Sequence, residues 1–482
     1  MRSFLARLVA SVLLCGGAAI GQPVGQFPFA LTREGQLLGN VEGEVASFRG
    51  LAYAAPPIGP WRWAPPQPTA ESREMRTAYD FAAPCLQPAL PGAAEDCLTL
   101  NVYRPFGVDG PLPVMVFIHG GGFVAGTANE ALVDGARLAQ GGVIVVTVNY
   151  RLGALGWVSL PGETASGNLG FMDQVAALQW VRDNIAAFGG DSGNVTLFGS
   201  GAGATSVALL MLSAPARGLF QKAILQSVAA RFPLRSARQA AEVGAIFRAA
   251  LGIEPDPRAA TPAQLMTAER RLLAQEAASF MPAVDGRWIT EDIATGFARG
   301  HQSRIPLLVG SNDDETRPDG EHDVRDAMAS AGLAAEEQAR LYPGVADRGE
   351  IAARTYTDKV FSEPARMLAR SHAATGAPVF RYRLGAGTDA RGAGAAGDHG
   401  RDLQFVFGVE GVPGAGVLSR ADREIAGTMR RYWINFARSG DPNGPDLPRW
   451  DAAEGDRLLL ITAARIASGT DPCAACLDRL AR

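Results

Sequence analysis

The run Thr196-Leu197-Phe198-Gly199-Ser200-Gly201-Ala202-Gly203-Ala204 carries the residues closest to chemistry in this chain. Gly199 and Gly203 have the spacing of a G-x-S-x-G turn, in which a serine is lifted onto a strained strand-to-helix corner to attack a carbonyl. The middle residue here is Gly201, and the only hydroxyl, Ser200, comes one place early. Acyl transfer also needs a base, a group that orients the base, and donors for the oxyanion. His119-Gly120-Gly121-Gly122 follows an apolar run, so its glycine amides can face a developing negative charge, joined by the amide of Ala202. His399, in Asp398-His399-Gly400-Arg401-Asp402-Leu403, is the candidate base. His301, His322 and His372 lie in polar or helical contexts that read as exposed. An acid is available in Asp313-Asp314-Glu315, and the order turn, acid, histidine is that of Ser…Asp/Glu…His hydrolases.

These groups need a scaffold that presents loop ends side by side. Leu112–Ile118, residues 143–148 and residues 195–198 are apolar runs without alternation, the signature of strands buried on both faces. Ile224-Leu225 and Leu307-Leu308-Val309 supply further strands, and Val175, Leu178, Val181 and Ile185 mark a helix over 171–187. Strand–helix alternation predicts an α/β protein with a mostly parallel central sheet and helices on both faces. Residues 236–280 and 320–375 are rich in Ala and Arg and helical in pattern, with Pro255, Pro257 and Pro262 as breaks in the first. They are expected to cover the carboxyl edge of the sheet, where such folds place their sites. The Gly/Ala run 385–397 reads as a loop.

The 482 residues carry a net charge of −4 and no basic run, which argues against a nucleic-acid partner. Arg2 and Arg7 precede the apolar run Leu8–Cys15 and the small residues Gly16 to Ala19, the layout of a signal peptide cut after Gly21. Residues 1–21 would then be removed, and 22–482 would form a single secreted or periplasmic domain. Leu14 is too large for the residue before a lipid-bearing Cys15, and no later stretch has the roughly 20 apolar residues of a membrane span. Cys85, Cys97, Cys473 and Cys476 remain, an even number that in an exported chain favours two disulfides. Whether Cys473 and Cys476 pair with each other is open at this level. No second ligand pair accompanies Cys473 and Cys476, so neither a redox nor a zinc role is expected of them, and no other metal or cofactor is expected.

The chain resembles the type B carboxylesterase/cholinesterase family along nearly all of its expected mature length. The resemblance rests on Phe48-Arg49-Gly50-Leu51-Ala52-Tyr53, Glu95-Asp96-Cys97-Leu98, the His119 glycine loop, Asn149-Tyr150-Arg151, Gly167-Asn168, Asp173-Gln174, Phe188-Gly189-Gly190-Asp191 and Gln226-Ser227. It implies an α/β-hydrolase fold, a Cys85–Cys97 disulfide, Glu315 as the acid, His399 as the base, Gly121, Gly122 and Ala202 as oxyanion donors, and a small carboxylic ester as substrate. The family's turn reads Gly-Glu-Ser-Ala-Gly, where this chain has Gly-Ser-Gly-Ala-Gly, a pattern similar to that of the non-catalytic neuroligins. Two functions follow as expectations. One is an exported ester hydrolase without the ordinary acyl-serine route; the other is a non-catalytic relative that binds an apolar ligand or a protein. Ser200 is a poor substitute nucleophile, because neighbouring Cα atoms lie about 3.8 Å apart and a misplacement of about 1 Å costs roughly 10²-fold. A water held above Gly201 and activated by His399 is the alternative.

Overall fold

The computed structural model describes residues 27–88, 90–160, 167–274, 280–315, 332–385, 399–413 and 415–481. The expected signal peptide, His322 and nearly all of the Gly/Ala run lie outside these residues. Eleven strands form the central sheet: β1 (Asn40–Glu42), β2 (Val45–Ala52), β3 (Thr99–Pro105), β4 (Leu112–Ile118), β5 (Ile144–Val148), β6 (Gly190–Ser200), β7 (Lys222–Gln226), β8 (Leu307–Asn312), β9 (Val379–Gly385), β10 (Arg457–Thr462) and β11 (Ile466–Thr470). Their spatial order is β11-β10-β9-β8-β7-β6-β4-β5-β3-β2-β1. Strands β4 to β10 run parallel, and antiparallel pairs close both edges. This is the mostly parallel sheet expected from the strand–helix alternation, and it agrees with the α/β-hydrolase fold that the family resemblance implies.

The apolar runs lack alternation because each face of the sheet has its own core. In β4, Val114, Val116 and Ile118 enter one core while Met115 and Phe117 enter the other. Ile144, Val146 and Val148 in β5 face the first, and Val145 faces the second. Helices Leu169–Asn184, Ala202–Leu212 and Glu363–Ala373 cover the first face. Arg401–Phe407 and Arg420–Ser439 cover the second. With both faces dry, these runs are apolar on both sides and show little alternation.

The described parts of the two expected insertions are helical. Helix Ala237–Leu251 starts at a capping box of Ser236 and Gln239, and Pro262–Leu273 at one of Thr261 and Gln264. Pro262 opens a helix here, since its missing N–H falls in the first turn where no intrahelical partner exists. Ala335–Leu341, Arg348–Thr357 and a π-turn over Asp358–Ser362 lead into Glu363–Ala373. Cys85 bonds Cys97, both 1% exposed, and Cys473 bonds Cys476. The tail that carries the second pair is a docked helix, Ala474–Leu480, burying Cys476, Leu477 and Leu480. No helix among the described residues is long and apolar enough to cross a membrane.

Candidate active site

Gly201 stands at the corner between β6 and helix Ala202–Leu212, with φ 57° and ψ −118°. A side chain is strained in that left-handed conformation, and glycine is not. The corner is pinned by Gly201 N donating to Gln226 O at 3.0 Å and by Thr205 N donating back to Gly201 O at 2.9 Å. Helix Ala202–Leu212 is buried along almost its whole length, so the turn has little freedom to shift.

His399 faces this corner. A Cβ built on Gly201 would lie 2.7 Å from His399 Nε2, so the ring occupies space that a serine at 201 would need. Its Nδ1 is 2.7 Å from Glu315 Oε2, and its ring packs against Phe361 with centroids 5.0 Å apart. Glu315 is fully buried just past the end of β8. Its Oε1 accepts from Ser227 Oγ at 2.6 Å and from Asn312 N at 2.7 Å, and its own N–H donates to Thr357 Oγ1 at 3.1 Å. Of the three acids after β8, Glu315 is therefore the one brought to His399. Asp313 turns instead to Arg383.

The charge balance keeps His399 basic. Burial disfavours its protonated form, but the hydrogen bond and charge of Glu315, with the charge of Asp402, outweigh that and raise its pKa. Asp402 is itself buried, and desolvation with the nearby Glu315 charge pushes its pKa up to about 6. Tyr382 OH donates to Asp402 Oδ2 at 2.6 Å. Two further ring nitrogens elsewhere behave oppositely. His119 is pushed down to about 4 by burial, stacked on Tyr150. His372, expected to be exposed, is fully buried under helix Glu363–Ala373, its Nε2 2.8 Å from Ile305 O, and burial lowers its pKa. Its polar sequence neighbours face solvent while its own side of the helix packs on β8. His301 is exposed as expected, against Glu291.

The glycine loop packs against the same corner. A Cβ on Gly120 would meet Ser200 O at 2.7 Å and Ala202 N at 3.9 Å. Gly121, at φ 101°, turns so tightly that a Cβ would lie 2.1 Å from Ala125 O. The N–H groups of Gly121, Gly122 and Ala202 donate no hydrogen bond among the described residues. Gly121 and Gly122 are exposed, whereas Ser200 is buried at the last register position of β6, opposite Gln226. No hydrogen bond joins Ser200 to His399, and His399 Nε2 has no hydrogen-bond partner among the described residues. The geometry thus sets a histidine–carboxylate pair at a glycine corner against which the glycine loop packs, with the N–H groups of Gly121, Gly122 and Ala202 unspent among the described residues. Ser227 (φ 55°), Thr357, Phe361 and Asp402 complete the surroundings. None of these four is a candidate on sequence grounds, although Asp402 lies three positions after His399 and Ser227 stands in a quoted motif.

With this arrangement in view, comparison with known proteins defines the class. The carboxylesterase family pattern matches residues 26–342 and 343–467, and the chain belongs to that family. It is 36% identical over 480 residues to a para-nitrobenzyl esterase of Bacillus subtilis (strain 168), covering 92% of this chain and 96% of that one. A fumonisin B1 esterase of Sphingopyxis macrogoltabida is 33% identical over 91% of this chain and 87% of its own. Among solved structures, a carboxylesterase of Geobacillus stearothermophilus superposes with a TM-score of 0.84 at 34% identity, over 94% of this chain and all of that one. A PNB esterase superposes at 0.82, with the same identity and coverage.

Proposed function

We propose that this protein is an exported carboxylic-ester hydrolase that works without an acyl-serine intermediate, His399 activating a water that attacks the ester carbonyl directly. One observation carries this reading: His399, held by Glu315, directs an unpartnered Nε2 at the Gly201 corner beside the free amides of Gly121, Gly122 and Ala202. Glu315 would orient the imidazole and stabilise the imidazolium formed when it takes the water's proton. The three amides would receive the charge that develops on the carbonyl oxygen. The substrate class, a small carboxylic ester, is supported by the esterase relatives. Export is supported by the arginines and apolar run of residues 1–21. No side chain at Gly201 can form a bond to the acyl group, and Ser200, buried in the last pairing of β6, makes no hydrogen bond to the histidine among the described residues. Loss of the nucleophile in a serine hydrolase costs about 10⁶-fold in turnover and leaves roughly 10³–10⁴ over water from the oxyanion hole and binding alone, so a water activated by His399 is expected to give turnover above that residual level.

The test is p-nitrophenyl acetate and butyrate hydrolysis by the purified protein, followed from the first turnover. Linear product release without a burst is expected, lost in His399→Ala and kept in Ser200→Ala. A stoichiometric burst, or an acyl adduct on the intact protein, would show a covalent route and sink the proposal. A second reading, a non-catalytic ligand-binding member of the fold, is favoured by Gly201 alone. Wild-type turnover equal to that of His399→Ala would select it.

A further inference from the structure

The Cys473–Cys476 disulfide borders a cleft of about 1300 Å³ lined also by Asp313, Asp314, Tyr342, Arg383, Arg465 and Arg479. Sequence offers these cysteines no third partner, but the fold supplies one from 115 residues upstream: Asp358. Its Oδ2 is 3.2 Å from Cys473 Sγ and 4.0 Å from Cys476 Sγ. Asp358 is fully buried, accepting from Tyr342 OH at 2.9 Å and, on Oδ1, from Arg383 Nη2 at 2.9 Å. Cys476 is 6% exposed, and Cys473 is the more accessible of the two.

Two features set this pair apart from a structural staple. A bridge spanning three residues removes little chain entropy from the unfolded state, because the stabilisation grows with the loop closed. Cys85–Cys97 spans twelve and is sealed in the core. In addition, a disulfide sulfur carries no proton to donate, so a buried carboxylate oxygen 3.2 Å away has nothing to accept from it. A thiol there would donate to that oxygen. The surroundings therefore complement the reduced pair.

We propose that Cys473 and Cys476 form a reversible thiol–disulfide site served by small dithiols entering the cleft, with Asp358 holding the reduced pair as protonated thiols. A thiolate of the dithiol attacks Cys473 Sγ, the cleft-side sulfur. The Cys473–Cys476 bond breaks, and Cys476 Sγ leaves with its electron pair and takes a proton. The second thiol of the reagent then attacks its own sulfur in the mixed disulfide. Cys473 Sγ is expelled, gains a proton and donates it in a hydrogen bond to Asp358. Two electrons and two protons pass from the dithiol, which ends as its own disulfide. A thiolate at Cys473 faces the Asp358 oxygen Oδ2 and the Asp471 carboxylate, which accepts from Cys473 N at 2.9 Å. Arg383 pairs with Asp358 on its other oxygen, and the two like charges at Cys473 slow attack by the reduced pair on other electrophiles.

The experiment treats the folded full chain with graded dithiothreitol, alkylates with iodoacetamide, and counts adducts by intact-protein and peptide mass. Two adducts on the 473–476 peptide, at concentrations that leave Cys85–Cys97 oxidised, are expected, and oxidised dithiothreitol should reverse the reduction. Reduction of this pair only together with Cys85–Cys97 would overturn the proposal. The role of Asp358 is read from the pH profile of alkylation of the reduced pair. At pH 8 the folded wild type should react about 10-fold more slowly than the same protein unfolded in urea, because only the thiolate is alkylated. In Asp358→Asn the profile should move back to lower pH. Equal rates in folded and unfolded wild type refute the carboxylate's role even if the variant fails to fold.

Discussion

At the scale of single residues, the site is decided by which side chain reaches His399 and which does not. Glu315 raises the histidine's pKa and Asp402 adds to it, so protonation of His399 is favoured up to a pH above its usual 6.5. A base that must be neutral then loses activity as pH falls through that raised value. Above about pH 6 Asp402 carries its charge; Asp402→Asn removes it while leaving Tyr382 a hydrogen-bond partner. The acid limb of the p-nitrophenyl ester profile should therefore move to lower pH in this variant, and the His399 ring resonance should titrate lower in parallel. An unmoved profile would mean that Asp402 does not act on the base. Gly201→Ser tests the corner itself. The new Cβ is 2.7 Å from Nε2, so the ring must retreat by several tenths of an ångström against Glu315 and Phe361. Of the 10⁶-fold that a nucleophile is worth, roughly 10²-fold is forfeited by such misplacement, leaving a gain of about 10⁴ with a burst. Turnover that stays at the wild-type level would show that the ring cannot give way.

At the scale of elements, a buried carboxylate joins the inserted helix Pro262–Leu273 to the glycine loop. Glu269 is fully buried, and its Oε2 accepts from Ala154 N at 3.0 Å. Gly153, next in line, donates to Phe123 O at 2.9 Å, the residue that follows Gly122. Desolvation pushes the Glu269 pKa up to about 7, whereas the unfolded chain titrates near 4.5. A folded pKa above the unfolded one gives stability that is complete below pH 4.5 and lost as pH rises through 7. Glu269→Gln keeps an acceptor for Ala154 and abolishes the titration. Its Tm should match the wild type near pH 5 and exceed it by several degrees near pH 8, as thermal unfolding across that range would record. The opposite pH trend would contradict a neutral buried Glu269. Capping boxes mark both helix starts of the first insertion: Ser236 and Thr261, each with a glutamine three residues on.

At the scale of the whole molecule, several family motifs turn out to hold distant segments together. Arg151 pairs with Asp173 at 2.7 Å, with side chains 2% and 0% exposed, and its Nη1 donates to Ala64 O. Arg62 pairs with Glu95 and donates to the carbonyls of Arg258 and Ala260, tying the N-terminal segment to the insertion. Truncating one partner leaves a buried charge alone. Arg151→Ala should cost about 3–5 kcal/mol, measurable as a drop in the urea midpoint. Arg182→Ala, whose side chain is 52% exposed beside Asp183, should cost under about 1 kcal/mol. Equal losses in the two variants would mean that burial does not set the value of these pairs.

The sequence alone was sufficient for the parallel sheet, because strands dry on both faces must be continuously apolar, as Leu112–Ile118 is. It also showed that position 201 has no hydroxyl, a matter of composition that folding does not alter. Which of Asp313, Asp314 and Glu315 meets His399 was not readable, since a carboxylate's partner depends on the turn after β8 and on Ser227 and Thr357, 88 and 42 residues away. The burial of His372 was equally hidden, because the helix face is chosen by what packs beneath it. So was Asp358 beside Cys473 and Cys476, a contact made between two helical segments with no local pattern to announce it. Patterning reports what each segment must bury. Only the tertiary structure decides which polar groups are buried together, and here that decides both the histidine pair at Gly201 and the cysteine pair at Asp358.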